Sequence, residues 1–452
     1  MVSLNNISPI DGRYQKNTEE LSLFFSEEAL IRYRIKIEIE YLIELCSVVH
    51  IKELKPLSSR KKTELRNIYT KFTTKEARHV KRIEANTNHD VKAIEYYLQD
   101  RLNKIGQSKL IPWIHFALTS EDINSLAYSL MWQDGLNYVY LPTLKKVISK
   151  LKTLAKKYNS TAMLAMTHGQ PATPTTIGKE LAVFCNRLQR QSVHIKEHKL
   201  QGKFGGATGT WGAHIAAYSN VDWIKFTQRF LKSLKLEPNL ITTQIESHDS
   251  IVESYQSIIR INSILLDFCQ DIWQYISRGI FTQKRIADEV GSSTMPHKIN
   301  PINFENAEGN LGISNALLAH FSTKLPVSRM QRDLSDSTVL RNQGVALAHS
   351  LLAIKNIVKG LNRLSVDKVS TKNELNKHWE VLAETVQTIL RKNGQLNAYE
   401  KLKELTRGEK ISEEILTKFV SSLDLPKADK EYLLGLTPET NTGLSSKLVE
   451  LV

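Results

Sequence analysis

The 452-residue sequence predicts an all-α protein built around long helices. Only 12 prolines and 20 glycines interrupt the chain, few for this length. Apolar residues recur at helical spacing over long stretches, and no run of alternating strands or βαβ crossovers is legible. With 41% hydrophobic and 24% charged residues the composition is that of a soluble globular protein. The length exceeds what one compact core accommodates, so two or three domains are expected.

Residues 1–110 read as a helical N-terminal domain. Ser26 followed by Glu27 and Glu28 marks a helix start, with acids at its positive end. Ile31, Ile35, Leu42, Leu45 and Val49 supply its core stripe. The polar segment Thr87-Asn88-His89-Asp90 precedes a second run through Ile94, Tyr97, Leu98 and Leu102. Residues 111–365 read as a central domain of long helices. Thr119 and Asp122 form a capping box ahead of Ile123, Leu126, Leu130 and Met131. In residues 142–158, Lys145, Lys146, Lys152, Lys156 and Lys157 flank an apolar stripe of Leu144, Val147, Ile148, Leu151 and Leu154. Residues 174–198 are a further helix. Residues 251–277, with Ile258, Ile259, Leu265, Leu266, Phe268, Ile272 and Trp273, have so little polar face that burial is expected. Residues 337–362 repeat that character. Residues 366–452 are more polar, are punctuated at Pro426 and Pro438, and read as a small C-terminal helical domain.

The 61 basic and 47 acidic residues leave a net charge of +14, which raises nucleic acid, a membrane surface or small anions as partners. No zinc finger, RNA-recognition sequence or glycine–arginine repeat supports the first. No apolar run approaches the roughly 20 residues of a membrane span. The N-terminus lacks a basic segment followed by an apolar one, so a cytoplasmic location is expected. Cys46, Cys185 and Cys269 form no CxxC and read as reduced packing residues. No HExxH, Cys/His cluster or acidic cation loop is present, so no metal is expected.

Chemistry concentrates in Gly291-Ser-Ser-Thr-Met-Pro-His-Lys-Ile-Asn-Pro301. Gly291 loosens the backbone, and Pro296 and Pro301 remove N–H donors, so the segment cannot be plain helix. Ser292 and Ser293 are candidates to attack or to abstract a proton. Lys298 suits developing negative charge, and Asn300 suits a carboxylate. Taken alone, a segment of this composition reads more readily as a solvated surface loop rich in turn formers.

The string resembles the GSSxMPxKxNP loop of the fumarase/aspartase superfamily, whose members eliminate fumarate or a similar product from a substituted succinate. His297, between Pro296 and Lys298, is similar to the adenylosuccinate lyase branch. Fumarases and aspartases usually carry Gly there, and argininosuccinate lyases Gln. SPIDGRY (8–14), TNHDVKAIEYYL (87–98) and THGQPATPTTIGKE (167–180) fit the same branch, and the resemblance runs from Ser8 to the ELTRG of 404–408. It implies a three-domain fold whose central helices form a twenty-helix core in a homotetramer. It implies elimination of fumarate from adenylosuccinate, giving AMP, and from the succinylated imidazole-carboxamide ribotide (SAICAR), giving AICAR.

The chemistry needs a base for a weakly acidic C–H and an acid for the leaving nitrogen, with no cofactor. The resemblance makes Ser292 the base, with Ser293 the alternative, and His168 the acid, a role that suits imidazole as a side-chain class. Lys298 and Asn300 would bind the succinyl carboxylate. Asn88, His89 and Asp90 align with substrate-binding positions, and His89 is a second proton-transfer candidate. Thr119-Ser120 aligns with a carboxylate-binding segment and Gln244 with a substrate-contacting glutamine. Arg332, Ser337, Thr338 and Arg341 suit the nucleotide phosphate, joined by Arg13 and Tyr14. The glycine and polar content of residues 285–300 predicts a loop that closes over substrate. Two rivals are a carboxymuconate cycloisomerase-like enzyme, which has no nucleotide to bind, and a silent basic nucleic-acid-binding protein.

Overall fold

The computed structural model describes residues 4–284, 295, 298–395, 397–398, 400, 403 and 411–452. Helices dominate, as expected for the class. The chain forms two compact units, each assembled from three separate segments. The first comprises Met1–Leu144, Gln191–Ser263 and Gly309–Lys355; the second comprises Lys145–Arg190, Ile264–Glu308 and Asn356–Val452.

In the first unit, Ser26 accepts the Ala29 N–H and opens the helix Glu27–Leu45. Ile31, Ile35, Leu42 and Leu45 are buried on it. Val49 is not part of the stripe: the helix ends at Leu45, and Val49 lies beyond it with 88% of its surface exposed. The helices Thr74–Thr87 and Asp90–Lys104 meet at Asn88, whose left-handed backbone turns the chain. The capping box of Thr119 and Asp122 opens the helix Ser120–Gly135. The expected 337–362 helix is two helices, Ser335–Leu340 and Gln343–Arg363, separated by a turn at Arg341 and Asn342. Residues 335–363 have the length and apolarity of a membrane span, yet 72% of the most apolar window is buried, as in a core helix.

Short strands were not legible, and three two-stranded pieces exist among the described residues. In the first unit Gln201–Lys203 pairs in parallel with Glu237–Asn239. In the second unit Ala162–Thr167 pairs antiparallel with Gln170–Thr176, and Phe281–Gln283 pairs with Leu364–Val366. The expected helix at 174–198 therefore begins at Ile177, because Pro174 and the β-branched Thr175 and Thr176 extend the hairpin. The helix Asp249–Ser277 is apolar and mostly buried as expected, but Trp273 is 46% exposed, its indole N–H donating to Glu305. The C-terminal helices Ala383–Lys392, Glu413–Ser422 and Lys427–Leu434 close around Leu382, Val386, Leu390, Leu416 and Val420. Cys46, Cys185 and Cys269 are unpaired and buried, and burial pushes all three thiols up, as befits inert packing residues.

Candidate active site

Thr119 and Ser120 owe their place to a buried ion pair one turn along their helix. Asp122 and Lys203 are fully buried and 2.7 Å apart. The Asp122 carboxylate also accepts the N–H groups of Thr119 at 2.9 Å, Gly205 at 2.9 Å and Gly206 at 3.1 Å. It thus ties the helix start to the loop 205–210. In that loop Gly209 has φ +72, and a Cβ there would lie 2.3 Å from the Thr242 carbonyl oxygen, so only glycine lets the loop meet the segment carrying Gln244. On the other side, His115 donates from its backbone N–H (3.0 Å) and Nδ1 (2.6 Å) to the buried Glu38. Burial pulls the His115 imidazole down, but the Glu38 carboxylate outweighs it and leaves the ring above its ordinary value.

Behind Ser120, Glu121 is 2% exposed and lies 3.0 Å from the Arg332 guanidinium. Arg332 donates through its other terminal nitrogen to the Gln244 Oε1 at 3.2 Å, and Gln244 donates from Nε2 to the Ala207 carbonyl at 3.2 Å. Asp336 stands 3.8 Å from Arg332 and 3.7 Å from the His248 Nε2. Burial pushes the Glu121 carboxyl up to about 7, against the pull of Arg332.

A third cluster surrounds Asp90. The buried Arg34 approaches it at 2.7 Å and Arg341 at 3.0 Å, and Arg341 also donates to Glu27 at 3.4 Å. Burial would raise the Asp90 carboxyl, but the two guanidinium groups and the Val91 N–H hold it below the usual range. His89 caps its helix: Nδ1 accepts the Lys92 N–H at 3.1 Å, so the neutral ring carries its proton on Nε2. Ser337 and Thr338 sit on the short helix Ser335–Leu340, and Arg341 is its C-cap. Arg13 lies 6.0 Å from the centre of the Tyr14 ring on an exposed turn. Arg341 also borders a cavity of about 280 Å³ formed with residues of the 10–26 segment, including Asp11, Gln15 and Ser22.

The first unit thus holds Arg13, Tyr14, Asn88, His89, Asp90, Thr119, Ser120, Gln244, Arg332, Ser337, Thr338 and Arg341. His168, Lys298 and Asn300 belong to the second. His168 and Gly169, with φ of 54 and 73, form the two-residue tip of the Ala162–Thr167/Gln170–Thr176 hairpin, and the histidine is exposed. Lys298 is exposed, its N–H bonded to the Met295 carbonyl at 3.0 Å, and Gln283 holds the Ile299 carbonyl at 3.2 Å. Ser292, Ser293 and His297, with the rest of 285–294 and Pro296 of the segment expected to close, lie outside the described residues.

Two family models match the chain in succession, one described as lyase over residues 12–313 and one as adenylosuccinate lyase C-terminal over 328–442. The adenylosuccinate lyase of Legionella pneumophila (strain Philadelphia 1) is 52% identical over 451 residues, covering 100% of this chain and 99% of that protein. That of Escherichia coli (strain K12) is 45% identical over 449 residues, covering 99% and 98%. The chain belongs to the adenylosuccinate lyase family. Two solved structures share the fold at low identity. The 3-carboxy-cis,cis-muconate lactonizing enzyme from Pseudomonas putida has a TM-score of 0.73 at 19% identity, covering 96% of each chain. A fumarate lyase from Mesorhizobium sp. BNC1 has a TM-score of 0.76 at 17% identity, covering 96% of this chain and 97% of that one. The all-α fold is therefore the fumarase-like one.

Sequence reasoning missed the groups behind the named positions: Arg34, Glu38, Glu121, Lys203, Asp336 and His248 as a partner of Asp336. The adjacent acids Glu121-Asp122 gave a signal, since a helix's first turn needs only one capping carboxylate. Lys203, in Gly-Lys-Phe-Gly-Gly, gave none.

Proposed function

We propose that this chain eliminates fumarate from adenylosuccinate to give AMP, and from SAICAR to give AICAR. The observation that carries the reading is its near-full-length identity to adenylosuccinate lyases. Ser292 would take the proton from the carbon beside the succinyl carboxylate. The freed electron pair forms the fumarate double bond as the C–N bond breaks, and His168 gives a proton to the departing nitrogen. Lys298 and Asn300 would hold the carboxylate on which charge accumulates, and Thr119-Ser120 the second carboxylate. Arg341 supports a phosphate role: Asp90 and Glu27 fix the guanidinium, yet its side chain remains 39% exposed. Arg332 is more enclosed, at 16%, and engaged with Glu121 and Gln244. Arg13, Tyr14, Ser337 and Thr338 would complete the nucleotide end. His89, donating from Nε2, would bind substrate. No step calls for a metal or organic cofactor.

The same proposal keeps three domains at 1–110, 111–365 and 366–452, a cytoplasmic location, and a homotetramer in which three subunits complete each site. The test is direct: purified protein is incubated with adenylosuccinate while fumarate and AMP are measured. Stoichiometric release of both supports the reading. No release, or turnover of a carboxymuconate instead, overturns it.

A further inference from the structure

We propose that Glu121 is a positioning residue for substrate: from behind Thr119-Ser120 its carboxylate fixes Arg332, and Arg332 fixes the amide of Gln244. The assignment rests on the reading of Gln244 and Arg332 as substrate-binding groups. Glu121, at 2% exposure, is shut away from any ligand, so it acts only through its neighbours. An acid buried merely for stability is a poor choice, since apolar side chains of the same volume serve as well or better. What a carboxylate adds is direction. One terminal nitrogen of Arg332 meets Glu121 at 3.0 Å and the other meets the Gln244 oxygen at 3.2 Å. The Gln244 nitrogen in turn donates to the Ala207 carbonyl at 3.2 Å. Flipping the amide would set N–H against N–H and oxygen against oxygen, so the chain of contacts selects one orientation. That orientation leaves one amide N–H and one oxygen lone pair for a ligand.

The far end of the network is poised rather than saturated. His248 Nε2, Asp336 Oδ2 and Arg332 Nε are buried with no hydrogen-bond partner among the described residues. The groups facing Glu121 are Arg332, Asp336, His248, Asn124 and the Tyr128 phenol; Arg332, His248 and the Asn124 hydrogen bond favour its charged form, while burial and Asp336 oppose it, and burial keeps Tyr128 neutral. With its carboxyl pushed up to about 7, Glu121 grips Arg332 fully only above neutrality.

Glu121→Gln keeps the shape and removes the charge. Parent and variant are compared on adenylosuccinate from about pH 6 to about pH 9, with kcat and KM measured separately. At the alkaline end KM should rise about tenfold in the variant, the weight of one charge-assisted hydrogen bond, with kcat within about twofold. Below about pH 7 the parent is protonated and resembles the amide, so the KM ratio should fall toward one. The substrate phosphate titrates in both proteins and cancels in that ratio. An unchanged KM at alkaline pH, a ratio constant across pH, or a loss confined to kcat overturns the assignment. If Glu121→Gln does not fold, Asp336→Asn carries the test. Removing that carboxylate should move the acid limb of the KM profile to lower pH, and an unmoved limb overturns the proposal. A parent inactive on adenylosuccinate defeats the functional reading, whereas an active parent with an unaltered variant defeats only the role of Glu121.

Discussion

Replacing Asp122 by Ala should loosen one defined part of the first unit and leave the second untouched. The carboxylate is fully buried and satisfies four donors: the Lys203 ammonium and the backbone N–H groups of Thr119, Gly205 and Gly206. After its removal Lys203 keeps, among the described residues, only the Gly206 carbonyl as acceptor, at 2.6 Å. Stranding one member of a buried pair costs about 3–5 kcal/mol. At 1.4 kcal/mol per decade that is roughly a 10²–10⁴-fold rise in local opening, readable as lost hydrogen-exchange protection in peptides covering 117–122 and 203–210. Lys203→Met should cost less, about 1–3 kcal/mol, because the carboxylate keeps its three backbone donors. The double variant should be more stable than Asp122→Ala alone, since no buried ammonium is left unpaired. Protection within tenfold of the parent in Asp122→Ala would refute this account. So would equal loss across the whole chain, or a double variant as damaged as the sum of the singles.

Four other outcomes are expected. Ser292→Ala should lower kcat by at least about 10²–10⁴-fold with the fold intact, and near-normal turnover would move the base to Ser293. His168→Asn should lose activity on a similar scale, about 10²–10⁴-fold, while retaining its melting temperature, because Asn tolerates the left-handed backbone of the hairpin tip. Inactive His168→Ala and Ser292→Ala proteins, unfolded together and reassembled, should regain part of the activity; confirmed subunit exchange without recovery would reject shared sites. Finally, His115 is held above its ordinary value by Glu38, so this pair stabilises the fold fully below the unfolded value of about 6.5 and ceases to as pH rises through the higher folded one. Melting temperature followed across that range should show the decline in the parent and lose it in Glu38→Gln.

Much was legible in the linear chain because it depends on neighbours in sequence. Ser26 before Glu27 and Glu28, the Thr119–Asp122 box and the apolar run of 251–277 are local patterns, and each became the expected element. The lyase character was legible as a family resemblance, carried by SPIDGRY, THGQPATP and the 291–301 string. Other features depended on packing that no local pattern encodes. The hairpin 162–176 is too short for a strand period to stand out, and its prolines hid it, so His168 was placed only when the turn was seen. Val49 and Trp273 are apolar at helical spacing, and whether they are covered was decided by where a helix stopped and which face met a neighbour. Electrostatic partnership was the least legible. Asp122 with Lys203, Glu38 with His115, and Glu121 with Arg332 are each joined across 77 or more positions of chain. The sequence by itself determined most of the helices, the caps at Ser26 and Thr119, and the family. Only tertiary structure decided which buried charges meet, because a Coulombic pair is fixed by distance in space and not by separation along the chain.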